Sequence, residues 1–394
     1  MRVLYHHRTL GDGAEGIHIR EMVRAFRALG HEVRVIGPAG ETLPEASRPS
    51  RILGAIKAAI PSTAYELAEV AYSGYAFLRA SWEIHRFKPD FLYDRYSTFN
   101  AGIVLAGRAY RLPVILEVNA PLALERREQR DQKLRFQQLA RRMERWICSN
   151  AARTIVVSTP LKTYLESIAV PSSQCTVMPN GVDPDRFAPQ PKDAQLLREL
   201  CIPPQSFVVG FTGVLRPWHG LELLLEAAAR LIARGLSLVV LIVGDGPYRL
   251  EMQQEILRRG LQSSIRITGR VPHEQVPGLV ALFDVAVSPR STFYASPMKV
   301  IEYMALGKPV VVPATPNFLD IVDDQVNGMT FKDADIDSLA DSLARMYESP
   351  ELRRTLGLRA REKVLSRLNW RWNALRSCEL ACAAATATTP VGRS

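Results

Sequence analysis

The 394-residue chain has no apolar run near the roughly 18 residues of a membrane-spanning helix; its longest, Leu236–Val243, has the length of a strand. An apolar stretch long enough for a secretion signal is also missing. Arg2 is followed only by Val3–Tyr5 before His6, His7 and Arg8, which predicts a chain without a leader. Cysteine is scarce. The five residues Cys148, Cys175, Cys201, Cys378 and Cys382 are odd in number and have no metal-ligand spacing, so they read as thiols of a reducing compartment. Zinc-finger, RRM and basic-zipper patterns are absent, which excludes the common nucleic-acid readers. Acidic side chains fall short of basic ones, 40 against 50, leaving a net charge of +10 that suits nucleotides or anionic lipid.

What is present is the composition of a soluble globular protein with large cores, 47% hydrophobic and 23% charged, at a length that suggests two domains. Strands and helices alternate from the start. Val3–His6 reads as a strand, Gly11-Asp12-Gly13-Ala14-Glu15-Gly16 as a loop, Ile17–Leu29 as an amphipathic helix closed by Gly30, and His31–Ile36 as the next strand. The loop contains G-x-G-x-x-G. Against a dinucleotide fingerprint, Asp12 and Glu15 put negative charge where a pyrophosphate would lie, and no acidic residue closes the second strand. The glycines instead let the backbone approach a ligand closely. His18, at the helix start, either touches a substrate or is structural.

A helical stretch from Ile52 to Phe87, interrupted at Pro61, precedes a strand at Pro89–Tyr93 that ends in Asp94-Arg95. Helix Thr98–Tyr110 and strand Leu112–Glu117 follow, the latter leading into Asn119. Ligands of open parallel sheets lie beyond the carboxyl ends of strands. Asp94, Arg95, Glu117 and Asn119 are therefore ligand contacts or, alternatively, caps and loop hydrogen-bonders. One long helix is expected over Leu122–Ile147. It carries eight basic residues (Arg126, Arg127, Arg130, Lys133, Arg135, Arg141, Arg142, Arg145), a face for solvent or for anionic lipid.

Turn formers at Pro179–Pro184 mark a domain boundary, after which the alternation restarts. Strand Val208–Phe211 opens into the loop Thr212–Gly220, strand Ser237–Val243 into Gly244-Asp245-Gly246-Pro247, and strand Ile265–Thr268 into Gly269-Arg270-Val271-Pro272. The stretch Val285–Pro313 is strand, Ser/Pro-rich loop, helix Met298–Leu306 closed by Gly307, and strand. A helix start with Lys299 in its first turn suits phosphate, and Glu302 one turn on suits sugar hydroxyls; an ordinary crossover has the same pattern. A last helix holds Trp370 and Trp372.

In this order the motifs resemble a known family. The carriers are the Gly-rich loop before Ile17–Arg20, Leu29-Gly30-His31-Glu32-Val33, Met178-Pro179-Asn180-Gly181-Val182-Asp183 with Phe187, Gly213–Gly220, Ile242–Pro247, Gly269–Pro272, and Ser296-Pro297-Met298-Lys299 through Glu302–Ala305. The chain resembles retaining glycosyltransferases of the GT-B fold, in the glycogen-synthase-like and sucrose-synthase-like group called family four. The resemblance implies an α/β chain of two doubly wound, Rossmann-like domains facing across a cleft. Residues 1–183 would bind the acceptor and 184–366 the nucleotide sugar. A helix at 367–382 would cross back to the first domain, before a disordered tail at 383–394.

The resemblance also assigns roles. Arg216, His219 and Lys299, with amides at the Met298 helix start, would neutralise the departing diphosphate and so form the catalytic set. Glu302 would take the ribose hydroxyls, and the main chain at Arg270 and Val271 would frame the base. Gly16, Gly213, Gly244, Ser296 and Pro297 complete the donor site, while His18, Arg95 and Asn119 would meet the acceptor. No cofactor or metal is expected, since no carboxylate pair has the spacing of a metal-dependent nucleotide-sugar site. Three positions depart from the family's usual residues. Tyr294 stands where many relatives have Glu, Val214 and His219 replace an Arg and a Lys with Arg216 as an extra cation, and Asn119 stands where a His is frequent. Phosphate binding then depends on a protonated His219 or on its neutral N–H.

The expected function is a cytoplasmic transferase moving a sugar from a nucleoside-diphosphate donor to a glycan, lipid-linked or small-molecule acceptor, with an anionic membrane surface as a peripheral partner. The alternatives are a catalytically weak nucleotide-sugar binder and an NAD-dependent oxidoreductase.

Overall fold

Strands that read as unbroken apolar runs are buried on both faces, the signature of parallel sheets covered by helices. The computed structural model of the protein describes residues 1–9, 14–38, 40, 62–128 and 134–388 and contains two such sheets, each of six strands. Expectations for residues 11–13, 52–61, 130–133 and 389–394 lie outside the described residues.

The first sheet comprises β1 (Arg2–His6), β2 (Glu32–Ile36), β3 (Phe91–Arg95), β4 (Val114–Val118), β5 (Arg153–Val156) and β6 (Cys175–Val177). Every pairing is parallel, in the order β2-β1-β3-β4-β5-β6. Tyr5 and Tyr93, neighbours in register, stack at 5.0 Å, and Phe26 meets Tyr93 edge-on at 5.5 Å. These rings centre the core of this unit.

The second sheet comprises β7 (Phe207–Thr212), β8 (Leu238–Val243), β9 (Ile265–Ile267), β10 (Val285–Val287), β11 (Val310–Pro313) and β12 (Met329–Phe331). Its order is β12-β11-β10-β7-β8-β9, again all parallel. Counted from its own first strand this is the 3-2-1-4-5-6 arrangement of dinucleotide-binding folds. All twelve residues of β7 and β8 are buried. Side-chain caps start the flanking helices: Asp193 accepts from Leu196 N, Asp335 from Ser338 N, and Ser349 from Leu352 N.

The compact units are Met1–Met178 with Trp370–Ser394, and Pro179–Asn369. The division falls at 178/179, against the expected 183/184. Asn180 and Val182 belong to the second unit because they bond within it, Asn180 N to Ser296 Oγ at 3.0 Å and Val182 N to Leu368 O at 3.2 Å. The last helix, Trp370–Thr388, packs with helix Ala14–Ala28 of the first unit, where Trp370 meets His18 edge-on at 4.7 Å.

Two expectations need correction. Residues 383–388 were expected to be unstructured but continue the last helix, since Ala383, Ala384, Ala385 and Ala387 favour helix strongly. The single helix over Leu122–Ile147 is instead two, Leu122–Glu128 and Gln137–Asn150. The second starts afresh because the buried carboxylate of Glu66 accepts from Arg135 N at 2.6 Å and Phe136 N at 2.9 Å. Two charge-assisted bonds to main-chain N–H groups fix a helix start that sequence periodicity does not reveal.

Candidate active site

Open parallel sheets bind ligands where the strand order reverses, beyond the carboxyl ends of the strands. In the second unit that point lies between β7 and β10. The loop after β7 holds Gly213 to Gly220, and the loop after β10 leads to helix Met298–Ala305. The turns after β8 and β9 stand alongside, because Gly244 and Gly269 pair across an isolated bridge.

Two glycines make the crowding possible. Gly213 and Gly244 have φ of 140° and 145°, and a Cβ on Gly244 would lie 2.0 Å from Gly213 O. A Cβ on Gly213 would lie 2.8 Å from Lys299 Nζ, so the lysine reaches directly over that turn. Below it, Phe211 presents its ring face 4.1 Å from Nζ. The Nζ is shut off from solvent and has no hydrogen-bond partner. Burial therefore pulls Lys299 down from 10.5 to about 7, with Glu302 pulling weakly the other way.

His219 also packs against Phe211, with ring centroids 5.7 Å apart. Its Nδ1 is buried without a partner. Burial first, then the charges of Lys299 and Arg216, lower the ring to about 3, against a main-chain hydrogen bond at Arg290. Of the two alternatives for His219, a neutral imidazole at ordinary pH is therefore the form in this structure. Arg216 stacks 5.2 Å over the half-exposed Trp218.

The loop before helix Met298–Ala305 is pinned at both sides. Asn180 Nδ2 donates to Ser296 O at 2.9 Å, and Asn317 Nδ2 donates to Ala295 O at 3.0 Å. From inside, Tyr303 OH meets Thr212 N at 2.6 Å, tying the helix to the end of β7. Glu302 lies 3.6 Å from His273 Nε2, and Arg186 holds the other ring nitrogen of His273. Arg270 is exposed, whereas Val271 lines a cavity of about 760 Å³ together with Thr268, whose hydroxyl accepts from Gly244 N at 3.2 Å. Gly213, Arg216, His219, Gly244, Val271, Ser296, Pro297, Met298, Lys299 and Glu302 thus surround the carboxyl ends of four adjacent strands. Gly16 lies in the first turn of helix Ala14–Ala28 of the first unit.

The first unit has its own reversal point, between β1 and β3, and a cavity of about 430 Å³ opens there. Arg8 and Thr9 after β1, Arg95 to Thr98 at the end of β3, and Asn119 after β4 line it. Arg95 and Asn119 thus meet at one cavity, as the carboxyl-end rule predicts. His18 is not among the lining residues. It is buried, with Nε2 2.6 Å from Glu117 Oε1. Burial pushes Glu117 up, but His18, Arg95 and a hydrogen bond from Tyr93 outweigh it and hold the carboxyl at about 2. Asp94 is likewise buried, 2.7 Å from His6 Nδ1.

Sequence reasoning missed several members. Arg8 follows the first strand and was open to the carboxyl-end rule. Glu69 and Asn317 sit in helices, and nothing in their local pattern separates them from solvent-facing polar residues. Among the described residues no group of three or more His, Cys, Asp or Glu could hold a metal, and no helix is long and apolar enough to cross a membrane.

Two family models match the chain: Glycosyltransferase Family 4 over residues 15–186 and Glycosyl transferases group 1 over residues 194–363. The 2-deoxystreptamine glucosyltransferase of Streptomyces kanamyceticus is 26% identical over 53% of this chain and 54% of its own length. The GDP-mannose-dependent α-(1-6)-phosphatidylinositol monomannoside mannosyltransferase of Mycolicibacterium smegmatis is 28% identical over 61% of this chain and 65% of its own. The chain thus spans little more than half the length of these curated relatives. Among solved structures, Anabaena HepE in complex with UDP superposes with a TM-score of 0.71 at 20% identity, covering 97% of this chain and 100% of that one. That likeness concerns the fold.

Proposed function

We propose, since this chain belongs to the family-four glycosyltransferases of the GT-B fold, that it moves a sugar from a nucleoside-diphosphate sugar to an acceptor with retention of configuration. The observation that carries this reading is the buried, unpartnered Nζ of Lys299, held over the Phe211 ring beside the Gly213–Gly244 turns, with His219 packed against the same ring. Buried polar atoms normally have partners. A diphosphate supplies an acceptor for Lys299 Nζ and in doing so restores its full charge.

The roles divide by chemistry. Lys299, Arg216 and the amides at the start of helix Met298–Ala305 offset the charge that grows on the leaving diphosphate. His219 donates as a neutral imidazole. Glu302, oriented by His273 and Arg186, accepts from the ribose hydroxyls. The cavity at Thr268 and Val271 takes the base. Tyr294 stands where many relatives have a carboxylate, and retention follows in this reading from the family resemblance, by attack from the same face as departure. The clamp is made of side-chain cations and amides, so no step is routed through a metal. The acceptor falls to the first unit's cavity, and the donor is cytoplasmic in kind.

Thermal-shift measurement against UDP-, GDP- and ADP-sugars tests the reading, with NADH as the control. A ligand at 100 times its Kd stabilises by about 2.7 kcal/mol. A folded chain that responds to NADH and to no nucleotide sugar sinks the proposal. Retention is read separately, from the anomeric coupling of the product in proton NMR.

A further inference from the structure

The cavity between the carboxyl ends of β1 and β3 holds more positive charge than its neighbours neutralise. Arg8, Arg95 and Arg126 line it, against Glu15 and Glu69. Glu69 is buried and fully engaged, accepting from Arg8 at 2.8 Å with one oxygen and from Arg126 at 2.7 Å with the other. This carboxylate fixes two guanidinium groups in place. Glu15 is exposed.

Arg95 is the group left over. Its Nη1 is buried with no hydrogen-bond partner. Of the neighbouring carboxylates, Asp94 bonds His6, and Glu117 accepts from Tyr93 and meets His18; Glu117 feels the charge of Arg95 but gives its Nη1 no hydrogen bond. Two further donors of the same cavity are buried and unpartnered, Arg126 Nε and Asn119 Nδ2. All three are N–H groups with no acceptor among the described residues. An unpaired buried donor is costly, most of all when it belongs to a charged group.

We infer that this cavity recognises its occupant through a phosphate ester, gripped by Arg95, Arg126 and Asn119. The inference rests on the acceptor reading of the first unit and gives that acceptor a chemical class. Phosphate oxygens accept from several donors at once and match the planar fork of arginine. A neutral sugar would satisfy Asn119 but offers the guanidinium N–H groups of Arg95 and Arg126 no charged acceptor. An ammonium-bearing molecule would face three guanidinium groups. The cavity's roughly 430 Å³ has room for a phosphate with a sugar-sized group attached. A soluble sugar phosphate and the headgroup of a phospholipid share this chemistry.

The test is calorimetric titration of the full chain with glucose 6-phosphate, with glucose and glucosamine as neutral and cationic controls, and with phosphatidylinositol vesicles beside phosphatidylcholine vesicles. Wild-type protein, Arg95→Gln, Asn119→Ala and Arg216→Ala are compared. The expected result is that a phosphate-bearing probe binds, that Arg95→Gln weakens it tenfold or more, and that Asn119→Ala weakens it less. Arg216→Ala leaves it unchanged, which separates this cavity from the phosphate site of the second unit. Arg95-dependent binding of the soluble ester assigns the phosphate to a free metabolite, and of the vesicles alone to a lipid headgroup; either supports the inference. Phosphate probes that bind no better than glucose, or equally well to wild type and Arg95→Gln, overturn it. UDP, GDP and ADP are titrated in parallel. Failure of all three to bind refutes the transferase reading, whereas binding of any one without Arg95-dependent phosphate binding refutes only this inference.

Discussion

Lys299 links donor binding to pH in a way that can be worked out from its surroundings. Alone over Phe211, with its Nζ cut off from solvent, it titrates at about 7 instead of 10.5. A diphosphate beside it stabilises the charged form. Above pH 7 the lysine must therefore take up a proton as the donor binds, and below pH 7 it already holds one. The cost is about tenfold in affinity at pH 8 and about a hundredfold at pH 9, since each step of one in pKa is worth about 1.4 kcal/mol. His219, at about 3, is neutral throughout and adds no slope. A nucleotide sugar is the right probe, because its diphosphate has no ester-free oxygen that titrates in this range. Calorimetry in buffers of differing ionisation enthalpy should show net proton uptake at pH 8, absent in Lys299→Met. An affinity that is flat from pH 6 to 9, or a slope that survives in Lys299→Met, would refute the reasoning.

The same depression fixes the sign of a stability effect. The unfolded chain holds the Lys299 proton up to about 10.5 and the ligand-free fold releases it near 7, so the cost of the buried charge is full below pH 7 and shrinks as pH rises between those values. Lys299→Met should raise the melting temperature of ligand-free protein most at pH 6 and least at pH 10. His219→Ala and Arg216→Ala should each lower kcat/KM by about 1.5–3 kcal/mol with the circular-dichroism spectrum unchanged. His219→Asn, which keeps a neutral N–H, should retain more activity than the alanine variant. Gly244→Ala meets Gly213 O and a φ of 145°, so it should lose nucleotide binding and destabilise by at least about 1–3 kcal/mol. Gly235→Ala, at φ 87° with nothing within 4 Å, supplies the milder comparison in the same thermal melts. Glu66→Ala should cost roughly 1–3 kcal/mol in urea unfolding by stranding the N–H groups of Arg135 and Phe136.

The alternation of strands and helices, and the turn residues that end them, were legible because apolar period and glycine position are local properties. The stretch Val285–Pro313 folds as read, with Gly307 at φ 69° just past its helix. Which strands lie side by side is not local. Nothing in the spacing of β7 and β10 says that they become neighbours, yet that adjacency brings Gly213 to Lys299. Arg216, His219 and Lys299 were legible as residue types at loop and helix-start positions, but the protonation of His219 and Lys299 was not, since it depends on how deeply the fold shields them. Glu66 and Glu69 show the limit most plainly. Both lie within one helix, Ser62–Phe87, and only the folded chain shows that one starts a distant helix while the other positions two arginines.

The second unit begins and ends at one place. Val182 pairs with Asn369 in an isolated bridge, so the two ends of the Pro179–Asn369 segment lie side by side. On the ribosome this arrangement sets an order of assembly. The Pro179–Asn369 segment is made complete, with adjacent ends, before helix Trp370–Thr388 exists to cover His18 and helix Ala14–Ala28. The first unit, though synthesised first, is finished last.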